Sequence, residues 1–152
     1  MIDLEFIENN VTWTRPDPTD GHIMFQHYNT AKIQKSILDE QPSTMREPLI
    51  DKLIHVFGQH TDMPDDWDFL SVQRYDTGDC MPPHEDGFQW HRLLILTTSP
   101  VDGLVLADAD KQKYIFYPDQ AGNIINIPSM TTHWVNPVTR GPRYTAVIGS
   151  MN

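Results

Sequence analysis

Cysteine is nearly missing: Cys80 is the only one in 152 residues, so no intrachain disulfide can form. That suits a reducing compartment. Basic residues are also scarce, 11 Lys and Arg against 21 Asp and Glu, which gives a formal net charge of −10. No run of Lys and Arg offsets it, so duplex nucleic acid is not expected as a partner. Long apolar stretches are missing too. Met1-Ile2-Asp3-Leu4-Glu5 has no basic region leading into one, so neither a signal peptide nor a membrane span is expected, and a cytoplasmic location is the default. No repeat of solenoid or propeller period occurs.

What is present fits one globular domain. Hydrophobic residues make up 39% of the chain, enough for one packed core at this length. Its character changes near Pro64. Residues 1–66 read as helical support. Thr30 would cap a helix to about Glu40, with Ile33, Ile37 and Leu38 on one face. A second helix carries Leu49, Ile50, Leu53, Ile54 and Phe57 on one stripe, with Pro48 in its first turn. Residues 3–14 are expected to add one or two short strands. Residues 67–152 read as strands at 67–75, around His84, and at 91–98, 103–107, 113–117, 123–127, 132–135 and 143–149, separated by turn signals such as Asp76-Thr77-Gly78-Asp79. The pattern predicts an α+β fold, a jelly roll backed by N-terminal helices.

Two His-x-Asp triplets occur, and on the order of one is expected by chance in such a chain. His60-Thr61-Asp62 lies at the end of the second predicted helix, where residues i and i+2 diverge. It reads as a helix-end histidine and a loop acid. His84-Glu85-Asp86 lies among strands, where i and i+2 share a face and would set an imidazole beside a carboxylate. It follows Tyr75 and Gly78. Downstream come Pro128, Ser129, His133, Val135, Pro137 and Val138, then Gly141 and Arg143.

Together these motifs, over about Phe69 to Gly149, resemble the core of the iron(II)/2-oxoglutarate-dependent dioxygenases, the prolyl-hydroxylase-like branch above all. The resemblance implies that His84, Asp86 and His133 hold Fe(2+). Two imidazoles and one carboxylate leave three positions open, which the resemblance assigns to 2-oxoglutarate and O2. Arg143 would bind the far carboxylate of 2-oxoglutarate through two parallel hydrogen bonds. Arg140, in the preceding turn, is its rival. Thr145, at i+2 from Arg143, and Tyr75 would complete the co-substrate site. The implied reaction is oxidative decarboxylation to succinate and carbon dioxide, coupled to hydroxylation of a substrate C–H bond, with ascorbate a candidate accessory reductant. The prime substrate implied is a peptide side chain such as proline, while free amino acids, small metabolites and a flipped nucleobase stay open. Many relatives carry a second Tyr three residues before the metal His; Met81 stands there instead, which points to a drier pocket or to Tyr75 as substitute.

Phe88 and Trp90 are core or rim aromatics, or walls of the substrate pocket. Trp67 and Trp134 read as core or rim. Cys80 reads as a packing residue, since no neighbour in sequence would activate it. His22, His27, His55 and His91 lack a partner at ligand spacing. Two other functions compete. A cupin-like metal protein would share the jelly roll and the six-residue step from Gly78 to His84, but normally has a second His where Asp86 stands and a later Glu. A non-enzymatic interaction module would have no need of the complete set His84, Asp86, His133 and Arg143.

Overall fold

The computed structural model describes residues 2–13, 29–34, 45–59, 64–67, 69–107 and 113–151, with residues 29–34 described by their backbone alone. The chain opens on helix α1, Leu4–Asn9, where strands were expected. Asp3 decides the outcome: its carboxylate caps the helix by accepting from the Glu5 amide at 3.0 Å. Ile7 is then buried under the helix. Among the described residues only an isolated bridge from Val11 to Met45 remains of the predicted strands.

A second correction follows. Residues Asn29–Gln34 form strand β1, not the first turns of a helix. β1 pairs antiparallel with β2, Phe69–Tyr75, from Phe69 to Arg74. That edge would otherwise present a row of unpaired backbone groups, and the ladder outweighs a local helical pattern. Residues 35–40 lie outside the described residues. Helix α2, Glu47–Gly58, forms as the apolar stripe predicts, with Pro48 in its first turn and Leu49, Ile50, Leu53 and Phe57 buried.

Strands β3 (Met81–His84), β4 (Trp90–Ile95), β5 (Ser99–Ala107), β6 (Tyr114–Asp119), β7 (Ile124–Ile127), β8 (His133–Val135) and β9 (Arg143–Ser150) follow. They form two antiparallel sheets of order β1-β2-β9-β4-β7 and β3-β8-β5-β6. β9 is buried at every position, so its two faces serve two cores. Tyr144, Ala146 and Ile148 pack with Leu49, Leu53 and Phe57 on the helix side. Val147 packs with Leu93, Ile95, Leu104, Leu106 and Val135 between the sheets. By the same alternation Arg143 and Thr145 join Val147 in the space between the sheets. Burial of each large aliphatic side chain contributes about 1.5–3 kcal/mol. Among the described residues no helix is long and apolar enough to cross a membrane.

Candidate metal centre

The turn after β2 fixes where the next strand begins. Gly78 adopts φ +90, a conformation that favours glycine. Its amide donates to the Val138 carbonyl at 2.8 Å, and the Val138 amide donates back to Asp79 at 2.9 Å. Gly141 approaches so closely that a Cβ there would lie 2.7 Å from the Thr77 amide nitrogen. The two motif loops therefore clamp each other, and β3 is delivered beside β8. His84 and His133 are paired across that ladder.

Both histidines are oriented by backbone. His84 Nδ1 lies 2.9 Å from the Pro82 carbonyl, and His133 Nδ1 lies 2.8 Å from the Thr131 carbonyl. A carbonyl can only accept, so each Nδ1 carries a proton, which leaves each Nε2 to donate to Asp86 when protonated or to ligate a metal when not. The two Nε2 atoms lie 3.3 and 3.2 Å from Asp86 Oδ2. One ligand atom from each of His84, Asp86 and His133 falls within 4.8 Å of the others. β3 ends at His84, so Asp86 reaches its place from the irregular segment after the strand rather than from a shared strand face. There its carbonyl accepts from the Met130 amide at 3.0 Å. Met130 has φ 60, a left-handed conformation that costs a non-glycine residue about 1–2 kcal/mol. It lies in the turn that delivers His133.

The electrostatics follow from this crowding. Burial alone would raise the Asp86 pKa, but the hydrogen bonds and charges of His133 and His84 hold it far below the usual carboxylate range. Burial opposes charge on His84, yet Asp86 and the Pro82 carbonyl raise its pKa overall. The donor set fits a divalent transition metal: two imidazoles and an ionised carboxylate bring one ligand atom apiece within 4.8 Å of one another, and metal would take the place of the Nε2 protons.

A fourth residue, which spacing alone did not assign, stands beside the three. His91 on β4 is 3% exposed, and among the described residues neither ring nitrogen has a hydrogen-bond partner. Its Nε2 lies 3.7 Å from Asp86 Oδ2. Burial pushes its pKa down to about 4, against the pull of Asp86. The signal that could have found it is strand parity: His91, Leu93 and Ile95 alternate onto the same face. Phe88 also lines this end, with its ring 5.1 Å from His91 and 4.8 Å from Phe69. Trp90 does not. It turns to the helix side, where it packs on that core and donates to Asp66 at 3.1 Å. Trp134 stacks edge-on against Tyr114, 5.1 Å away.

Arg143 is buried between the sheets, whereas Arg140 is exposed. The Arg143 guanidinium meets Asp119 in two parallel hydrogen bonds, from Nε to Oδ2 at 2.7 Å and from Nη2 to Oδ1 at 3.0 Å. Its Cζ lies 5.0 Å from the centre of the Tyr75 ring. Tyr75 is fully buried, and desolvation pushes its phenol up to about 12. Its hydroxyl contacts the Met81 sulfur at 3.8 Å, so Met81 packs on Tyr75. Thr145 Oγ1 donates to Gln73 at 2.8 Å. Cys80 is a free thiol whose pKa is raised by burial and by Asp79, as a packing role requires. His55 is exposed. His22, His27 and the second triplet at His60 and Asp62 lie outside the described residues.

Comparison with solved structures places the architecture. A 2OG-Fe(II) oxygenase family oxidoreductase from Burkholderia pseudomallei superposes with TM-score 0.66 at 13% identity, over 98% of this chain and 76% of that one. The chain has the jelly-roll fold. A Pseudomonas putida prolyl-4-hydroxylase gives TM-score 0.61 at 17% identity, over 92% and 78%. An oxalate decarboxylase with Mn(II) centres from Bacillus subtilis gives 0.54 at 10% identity, over 83% of this jelly-roll chain but only 26% of its own length. Identities this low carry the fold alone. No protein-family model and no curated protein sequence matches the chain.

Proposed function

We propose that this jelly roll is a non-haem iron(II) oxygenase that uses a 2-oxo acid as co-substrate and hydroxylates a C–H bond of a peptide or small molecule. The observation that carries the proposal is the convergence of His84, Asp86 and His133 within 4.8 Å. That donor set matches the facial triad of iron(II) oxygenases, which leaves positions open for co-substrate and dioxygen. 2-Oxoglutarate is the co-substrate the sequence resemblance implies, with ascorbate as an accessory reductant. When bound, the iron would supply the site that chelates a 2-oxo acid and activates dioxygen.

The chain's own residues do the rest. The Pro82 and Thr131 carbonyls hold the two imidazoles in the tautomer that frees Nε2. Neither ring nitrogen of His91 has a hydrogen-bond partner among the described residues, and Nε2 lies 3.7 Å from Asp86 Oδ2, which suits a polar occupant beside Asp86. The apolar wall of Leu93, Ile95, Leu104 and Leu106 excludes water from the interior. Phe88, at the rim, would pack against the substrate. The metal fits these residues; the far carboxylate of 2-oxoglutarate would have to share Arg143 with Asp119, which already holds its Nε–Nη2 edge.

The test is metal binding under anaerobic conditions, followed by turnover scored as 2-oxo acid consumed. Wild type should take one Fe(2+) per chain and consume the acid. His84→Ala, Asp86→Ala or His133→Ala should abolish consumption. Full activity in His133→Ala would refute the triad. A second reading, a cupin-like metal enzyme without 2-oxo acid chemistry, draws support from His91, which brings a third imidazole to the carboxylate. It requires metal binding with no response to any 2-oxo acid.

A further inference from the structure

The Arg143–Asp119 pair is the most completely withdrawn charge pair among the described residues that has no place in the metal chemistry. The two side chains are 2% and 0% exposed. Asp119 ends β6 and Arg143 begins β9, so the pair bridges the two sheets. Its position along the barrel can be read from the ladders. His133 lies opposite Leu106, while Gly103 lies opposite Pro118, the neighbour of Asp119. Those levels are three residues apart on β5, on the order of 10 Å along the strand. That is about the reach of a five-carbon 2-oxo diacid chelated at its keto end.

A lone buried guanidinium at that distance would call for a carboxylate from the ligand. Here the chain supplies the carboxylate itself, with both Asp119 oxygens engaged. The pair is then neutral as a whole. A second carboxylate brought to it would leave two anions sharing one cation in a buried site, and the desolvation penalty would be only partly returned. Tyr75, over the guanidinium, has a phenol that is neutral at physiological pH. Met81 beside it adds an apolar surface. Thr145, on the same face, already donates to Gln73. A ligand tail reaching this level would meet a closed ion pair, a neutral phenol, a thioether and a satisfied hydroxyl.

We infer that the co-substrate site, on the oxygenase reading above, takes a 2-oxo acid with an uncharged tail in preference to 2-oxoglutarate, and that Asp119 is the residue that sets this preference. The keto acid end is still chelated by the metal, and the tail packs on Met81 and Tyr75 without needing a cation.

The experiment is an anaerobic titration of the Fe(2+)-loaded full chain with 2-oxoglutarate, 2-oxobutyrate and 2-oxo-4-methylpentanoate, read by calorimetry and by the visible charge-transfer band of a chelated 2-oxo acid. Wild type should bind at least one of the uncharged-tail acids on the order of tenfold more tightly than 2-oxoglutarate. Asp119→Asn should shift that ratio by about tenfold or more towards 2-oxoglutarate, because the guanidinium then lacks an anion. Tighter binding of 2-oxoglutarate by wild type overturns the inference and leaves the oxygenase reading standing. An unchanged ratio in a folded Asp119→Asn removes Asp119 from the role. Failure of every 2-oxo acid to bind overturns both the inference and the co-substrate class it rests on. Should Asp119→Asn not fold, the wild-type ratio alone decides the preference, and the double variant Asp119→Leu/Arg143→Met tests the site. Removing both charges should leave affinity for the uncharged-tail acids within a few-fold of wild type; its loss would show that they depend on Arg143.

Discussion

At His91 the demands of folding and of the metal centre oppose each other. A buried imidazole with two unpartnered nitrogens destabilises the fold, since each buried polar atom without a hydrogen bond forfeits about 1–3 kcal/mol. On the proposed metal reading the same ring would hold Asp86 or a bound ligand in place, and such supporting groups are worth roughly 10–100-fold in metal affinity. His91→Leu, close in volume and without polar atoms, should therefore raise the melting temperature of the metal-free protein and weaken Fe(2+) binding by about tenfold. Thermal unfolding without metal and a competition titration with a chelator read the two effects separately. Unchanged metal affinity with raised stability would make His91 a packing residue. The convergence of His84, Asp86 and His133 was legible from the motifs, but only the two histidines sit on paired strands; Asp86 arrives from the irregular segment after β3 and not from the strand face its spacing suggested. His91 was not legible, because residues 87–89 leave the strand path before β4 begins, and only the folded path brings it back to Asp86.

Among the elements, those with strong periodicity read correctly. α2 shows its apolar stripe, and strands β2 and β4 to β9 lie within a few residues of their predicted spans. The misreadings are local patterns overruled by neighbours: β1 by the open edge of β2, and α1 by the Asp3 cap. α1 is also held by a polar cluster that no local pattern announces. Glu8 accepts from Arg74 at 3.0 Å, from Trp13 at 2.9 Å and from the Tyr144 hydroxyl, tying the helix to β2 and β9. Burial raises the Glu8 pKa, but these hydrogen bonds more than offset it, and the net direction is downward. A carboxylate with a depressed folded pKa adds stability above its unfolded pKa and loses it as pH falls through the folded one. Glu8→Gln should therefore cost about 1 kcal/mol at pH 7 after allowance for its partial exposure. The gap to wild type should close as pH falls below the ordinary glutamate range. Denaturant midpoints for both proteins from neutral to acid pH check this; a gap that stays constant would mean that charge is not what Glu8 contributes.

The whole molecule carries a formal net charge of −10, and among the described residues its two buried or half-buried arginines at the sheet ends are already paired. Arg143 is paired with Asp119, and Arg74 lies 3.0 Å from Glu8 and 3.4 Å from Asp76. Binding to duplex DNA draws most of its affinity from Lys and Arg at phosphates, with release of counterions, so it weakens steeply with salt. An acidic surface repels that backbone over a Debye length of about 8 Å at physiological ionic strength. A peptide or small-molecule substrate meets no such barrier: its affinity would come from packing at the Phe88 end of the barrel and a few hydrogen bonds near the metal. The expectation is no submicromolar binding to a double-stranded oligonucleotide at either low or moderate salt, measured by fluorescence anisotropy on the metal-loaded chain. A neutral or basic peptide, by contrast, should bind with little salt dependence. Submicromolar affinity for the oligonucleotide that collapses between low and moderate salt would reveal a basic patch and make a nucleobase the first substrate to test.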